Sequence, residues 1–325
     1  MKLRTMVIGL IFLSLTLMII PTAQPSTTST TFDYPGAAYT QALGVNRSGS
    51  IVGIYQDNNG LHGFLHQGSD FSTGFRAIDV PNSFLTEAQG INDRGNIVGL
   101  YMDASGTHGF VHHGLNFGTG YQKIDVPSAT CCISANAINR HGDIVGSYIA
   151  NFHTHGFVHR GSDFRRGYTT LDVPGATETF PNGINRNGEV VGQYVDASGT
   201  AHGFMVREGR FTTIDAPSTL VPAPLPGTTA VNGVNSRGAF VGIYVDTGYL
   251  RDGFLNQEST VQPVSVSGAT EVLPFGMNDK GVIVGGASEN GSTHGFVTAG
   301  SVTGGDNDRE DGDDQDGGDQ GGEGK

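Results

Sequence analysis

Five histidines recur at the same point of a repeated motif and are the first candidates for chemistry. Each begins the tripeptide His-Gly-Phe, and an acidic residue usually precedes it in the sequence, as Asp103 precedes His108. An acid beside an imidazole suits metal binding or general acid–base catalysis. Recurrence argues against both roles, because repeated copies lie apart in a fold and an enzyme needs one site. We therefore interpret the set as structural, each member hydrogen-bonded to a nearby turn: His62, His108, His155, His202 and His294.

One copy of the repeat departs from the others in residues that could bind a metal. It holds the only two cysteines, the adjacent Cys131 and Cys132, and two histidines in one turn, His153 and His155. Two thiolates and two imidazoles suit a tetrahedral zinc or a copper ion. In an exported protein the cysteines could instead form a strained vicinal disulfide. The third interpretation is two unrelated thiols in a tolerant loop, and the residues alone leave all three open.

A repeat of about 45 residues must position these side chains. The tripeptide, which is Asp-Gly-Phe in one copy, begins at residues 62, 108, 155, 202, 252 and 294. Such a period is typical of a stacked or circular array. Each copy predicts four short strands, A to D: a Gly-Ile-Asn segment, an Ile-Val-Gly segment, the strand that starts at His-Gly-Phe, and an Ile-Asp-Val-Pro segment.

The junction between strands A and B reads Asn-x-x-Gly in every copy, as in Asn92 to Gly95. Asparagine can cap a turn with its side chain and glycine can adopt positive φ, so a tight antiparallel turn is expected. We predict an all-β fold, a six-bladed β-propeller of four-stranded antiparallel blades over residues 31–300. The last copy lacks strand D, and an orphan strand D at 31–36 should close the ring. A solenoid is the alternative.

The two ends of the chain differ in composition from the repeats. Lys2 and Arg4 precede an apolar run from Met6 to Ile20, which is short for a membrane span. We expect a signal peptide at 1–24 and a linker at 25–30, with an uncleaved anchor as the alternative. Residues 301–325 are rich in Gly and Asp and should form a disordered acidic tail.

Composition and motifs exclude several classes of function. The formal net charge is −13, which argues against nucleic-acid binding. The chain contains neither a Gly-x-Ser-x-Gly elbow nor a His-Glu-x-x-His pair, and nothing in it indicates a cofactor. We expect a secreted or cell-surface monomer without membrane contact after signal cleavage.

The repeats resemble those of bacterial HAF-type extracellular repeat proteins. Those repeats carry a Gly-Ile-Asn…Gly…Ile-Val-Gly segment followed by His-Ala-Phe, and here glycine takes the middle place, as in Gly109. The resemblance covers nearly all of residues 31–300 and implies export and a repeat fold. It implies no established activity.

The segments that vary between copies predict where function lies. In a propeller the D–A and B–C connections share one face, called the loop face below. We predict a non-catalytic binding or display scaffold that uses this face for a glycan, a cell-wall component or a protein. An extracellular propeller enzyme such as a glycan hydrolase or lyase is the alternative. The candidate binding residues are Tyr39, Phe84, Phe180, Leu225 and Phe275.

Overall fold

The computed structural model describes residues 28–299, except 115, 116, 162, 163, 165 and 166. The predicted signal peptide and acidic tail lie outside the described residues. Every regular element in the described part is a β-strand. Within those residues there is no helix of the length and apolar character that a membrane crossing requires.

The chain begins with a short strand, β1 (Ser29–Phe32), and then forms strands A to D in successive repeats. The first two repeats contain β2 (Tyr39–Val45), β3 (Ile51–Asp57), β4 (Gly60–His66) and β5 (Phe75–Ile78), then β6 (Leu85–Ile91), β7 (Ile97–Asp103), β8 (Gly106–His112) and β9 (Tyr121–Ile124). The next two contain β10 (Cys131–Ile138), β11 (Ile144–Ala150), β12 (His153–His159) and β13 (Tyr168–Thr170), then β14 (Glu178–Ile184), β15 (Val190–Val195), β16 (Ala201–Arg207) and β17 (Arg210–Ile214). The last two contain β18 (Ala230–Val234), β19 (Phe240–Val245), β20 (Arg251–Gln257) and β21 (Thr260–Val264), then β22 (Glu271–Met277), β23 (Ile283–Glu289) and β24 (Ser292–Thr298).

These strands pair into four four-stranded sheets and one eight-stranded sheet. The expectation of six separate four-stranded sheets is therefore corrected. The first and last repeats share a sheet because β2 and β24 meet in a parallel bridge between Tyr39 and Thr293. Strand β1 lies on the same edge of β24, away from β23, and pairs antiparallel from Ser29 opposite Thr298 to Phe32 opposite Gly295. The arrangement is β-propeller-like.

The predicted position of strand D was wrong. It was expected at Ile78–Pro81, but β5 covers Phe75–Ile78, and the later copies shift in the same way. The Asp-Val-Pro segment does not continue the strand, because its backbone amide and its aspartate side chain bind other partners. The amide of Val80 donates to Thr86 Oγ1 at 3.0 Å, and Asp79 binds a histidine of strand C.

The hydrophobic core lies between neighbouring sheets. One cluster joins Val98 and Ile124 of the second repeat to Ile133 and Phe157 of the third. Within each sheet, the Ile-Val-Gly glycine allows the phenylalanine of strand C to pack flat. A Cβ on Gly99 would lie 2.9 Å from Cε1 of Phe110 and would collide with the Glu87 carbonyl, so this position excludes every larger residue.

In five of the six A–B turns, the asparagine side chain also links its turn to the next one. Asn92 Oδ1 accepts the amides of Arg94 and Asn96 at 3.1 and 3.0 Å, which closes its own turn. Its Nδ2 donates to the Asn139 carbonyl in the next repeat at 3.0 Å. The same turn-to-turn bond is donated by Asn46, Asn139 and Asn185, and Asn278 donates to the carbonyl of Asn46 at 2.9 Å.

The first three repeats also share a long C–D loop over a buried histidine. His66 is fully buried, stacks on Phe71 at 4.4 Å and contacts the Asp70 carbonyl through Nε2 at 3.2 Å. His112 and His159 occupy the equivalent positions and are also fully buried. These imidazoles therefore act as core residues.

We predict that Asn92→Ala lowers the free energy of unfolding by about 2–4 kcal/mol, because a turn cap and a buried inter-repeat hydrogen bond are lost together. Urea denaturation measures the change. Arg94→Ala, an exposed change in the same turn, serves as the control. Equal stability of the two variants would show that the asparagine ladder is dispensable.

Phe32→Ala should destabilise the domain by about 3–5 kcal/mol, because Phe32 of β1 is buried between β24 and the first repeat and stacks on Phe71 at 4.5 Å. Thermal unfolding followed by circular dichroism tests this, with the exposed Thr31→Ala as control. An unchanged melting temperature would mean that β1 contributes nothing to stability.

Candidate functional site

A cavity of about 290 Å³ lies where the six A strands converge. Such a volume is near the lower end for small-molecule sites. The residue just before the Gly-Ile-Asn glycine, or its equivalent, reaches the cavity from every repeat. This position varies from copy to copy: Leu43, Gln89, Asn136, Asn182, Asn232 and Phe275.

The same six residues also line a second cavity that extends toward the A–B turns. They therefore form a layer between the two spaces. The first cavity adds residues on the loop-face side of this layer, namely Gln41, Ile54 and Glu87. Its lining is thus mainly amide, with one phenylalanine and one carboxyl group.

Hydrogen bonds between repeats fix the orientation of three cavity amides. Nδ2 of Asn136 donates to the Pro181 carbonyl at 2.8 Å, and Nδ2 of Asn232 donates to the Pro274 carbonyl at 2.9 Å. Asn182 Nδ2 donates to the Val231 carbonyl at 3.1 Å. A carbonyl can only accept, so nitrogen must face each of these partners.

Glu87 is the one acidic residue of the cavity lining. Burial raises the pKa of its carboxyl group. Its Oε2 accepts a hydrogen bond from Gln89 Nε2 at 2.7 Å. Within the described part of the chain, no cation forms an ion pair with it. The carboxyl group of Glu87 is therefore hydrogen-bonded to a neutral amide and not to a cation.

Four of the repeated histidines pair with the aspartates of the Asp-Val-Pro segments or their equivalents, just after strand D, a link that the sequence analysis missed. His62 Nδ1 lies 2.8 Å from Asp79, and His155 Nδ1 lies 2.8 Å from Asp172. His202 pairs in the same way with Asp215, and His294 with Asp33 near the start of the described chain. His108 instead contacts Asp103 and Ser105 of its B–C turn. Each pair lies beside a different C strand, so the pairs stay apart from one another.

The predicted binding residues occupy different environments. Phe275 lines the cavity, but it does so from the middle of β22 and not from a D–A loop. Phe180 is likewise within β14, and Tyr39 begins β2. Phe84 is exposed in a D–A connection, and the amide of Leu225 donates to the Val245 carbonyl at 2.7 Å. The cavity therefore brings only Phe275 of this set together with the amides.

The candidate metal ligands do not form one cluster. Cys131 and Cys132 are free thiols at the start of β10, with their Sγ atoms 2.7 Å apart, and that contact raises the pKa of Cys132 to about 11. Strand β11 separates them from β12, where His153 faces Glu178 and His155 binds Asp172. Among the described residues, no three His, Cys, Asp or Glu side chains gather as a metal site.

The cavity residues were missed because they lie inside the repeated motif at a position that looks merely variable. Comparing this one position across the six repeats, from Leu43 to Phe275, is the signal that could have identified them. The β-propeller-like arrangement brings the residues at this position together around one cavity.

Neither a protein-family model nor a curated relative matches the chain. Solved structures do resemble it. TolB from Acinetobacter baumannii has a TM-score of 0.53 at 9% identity, over 77% of this chain and 64% of that one. A triple mutant of AofleA from Arthrobotrys oligospora has a TM-score of 0.52 at 11% identity, over 85% and 88%. Trypanosoma rangeli sialidase, as a covalent intermediate with 2,3-difluorosialic acid, has a TM-score of 0.52 at 8% identity, over 84% and 59%. The likeness concerns the fold.

Proposed function

We propose that the domain is a closed six-bladed propeller and that its eight-stranded sheet consists of two adjoining blades. Three observations support closure. The A strands of six repeats line one cavity, the last A–B turn binds the first through Asn278 and Asn46, and β1 pairs with β24. Together these contacts link the two ends of the repeat array.

We propose that the protein is an exported, HAF-type binding protein whose cavity holds one sugar-sized polar ligand. The composition of the cavity lining carries this proposal. Amides and a single aromatic ring suit the recognition of hydroxyl groups and an apolar ring face, and three of the amides are held in fixed orientations by the neighbouring repeat. A preorganised lining lowers the entropic cost of binding.

A catalytic role has less support. Glycoside hydrolysis commonly uses two carboxyl groups on either side of the scissile bond, and the cavity lining supplies only Glu87. The raised pKa of Glu87 is the feature that favours the enzyme alternative, because it suits a general acid. Without a second acid or a histidine in the lining, binding remains the better explanation.

Leu43→Phe should abolish ligand binding while leaving the fold intact, because phenylalanine already occupies the equivalent position of the last repeat as Phe275. A panel of mono- and oligosaccharides, screened by thermal shift and then calorimetry, measures the loss. Binding by the wild type should raise its melting temperature by mass action.

Phe84→Ala is the matched control for a site on the loop face, since this exposed ring lies outside the cavity lining. It should leave affinity within about twofold. If Phe84→Ala removes binding and Leu43→Phe does not, the ligand sits on the outer loops and the cavity proposal is wrong. Release of products from the bound oligosaccharide would favour the enzyme alternative.

A further inference from the structure

Several oxygens of the cavity lining are left to accept hydrogen bonds from a ligand. Asn182 uses both N–H groups, because its Nδ2 donates to the Val231 carbonyl and also to Asn232 Oδ1 at 3.2 Å. Asn136, Asn232 and Gln89 each use one of their two amide N–H groups, the first two on backbone carbonyls and Gln89 on Glu87. The oxygens of Asn182, Gln89 and Glu87 remain as acceptors, so a ligand that donates several hydrogen bonds finds partners here.

A neutral polyol would satisfy the amide oxygens but would leave the charge of Glu87 without a counter-ion. An enclosed carboxylate is stabilised far more by a cation than by another amide. No side chain of the described residues supplies that cation to Glu87. A ligand that brings its own positive charge would fill this gap.

The charge around the cavity favours the same ligand. Acidic residues occupy the B–C turns and the D–A connections: Asp33, Asp57, Asp79, Asp103, Asp125, Asp172, Asp196, Asp215, Asp246 and Glu289. The basic residues near this face are ion-paired, Lys123 with Asp125 at 3.3 Å and Arg251 with Glu271 at 3.2 Å. Each A–B turn, by contrast, carries one lysine or arginine at the opposite end of its sheet. A cation approaching the loop face is therefore attracted.

Building on the binding role proposed above, we propose that the ligand is a saccharide with a free amino group, and that its ammonium lies against Glu87 while its hydroxyls donate to the oxygens of Gln89 and Asn182. The amine supplies both the missing charge and up to three donors. Gln41 lines the same cavity and offers its amide to the remaining polar group.

Calorimetry with D-glucosamine, N-acetyl-D-glucosamine and D-glucose tests this assignment on the full chain, at a pH that keeps the amine protonated. D-glucosamine should bind at least tenfold more tightly than either neutral sugar, which corresponds to about 1.4 kcal/mol. Glu87→Gln should reduce that preference to less than threefold, and Glu87→Asp should retain it. Glu289→Gln, which removes an exposed charge from the same face, should leave it unchanged. Melting temperatures confirm that each variant is folded.

Three results would overturn the assignment in different ways. Equal affinity for the three sugars would reject the amine and leave the binding role standing. No binding of any sugar would reject both proposals together. Binding of calcium chloride alone, lost in Glu87→Gln, would make the cavity a metal site.

Discussion

The asparagine at the start of each A–B turn is the constraint on which the architecture depends. Its side-chain oxygen closes the turn, and in five of the six turns its amide nitrogen binds the next turn, so local and long-range structure use one side chain. These bonds set the spacing of the A strands and hence the width of the cavity. Because the side chains are buried, any residue that breaks the bond leaves polar groups unsatisfied, which explains why the motif tolerates so little variation among copies.

The backbone of the repeats is alike, but the side chains that line the cavity differ from repeat to repeat. The turn asparagine and the packed glycine repeat with little change, but the residue before the Gly-Ile-Asn glycine ranges from Leu43 to Gln89 to Phe275. Variation at this position costs the scaffold little, because the side chain faces the cavity. The lining of the cavity can therefore change one repeat at a time. The position three residues before the same glycine also differs sharply between copies. It is the acidic Glu87 in the second repeat and the aromatic Phe180 in the fourth.

The sequence predicted the elements better than it predicted the site. Turn chemistry is local, so Asn92 and Gly95 were enough to predict a tight A–B turn. Strand D was displaced by three residues because the hydrogen bonds that free Asp79 and Val80 from the ladder come from other strands. The cavity residues are separated by whole repeats, and only the curvature of the array brings them together. The aspartate–histidine pairs were not predicted for a similar reason. His62 and Asp79, for example, are 17 positions apart, and only strand pairing brings them together.

The long C–D loops divide the repeats into two kinds. The first three repeats carry a buried histidine, an aromatic ring packed beside it and a glycine at positive φ, as in His66, Phe71 and Gly74. The fourth and fifth repeats join β16 to β17 and β20 to β21 through two-residue hairpins. The first three repeats therefore have a small core of their own between strands C and D, which the hairpins of the next two repeats are too short to form.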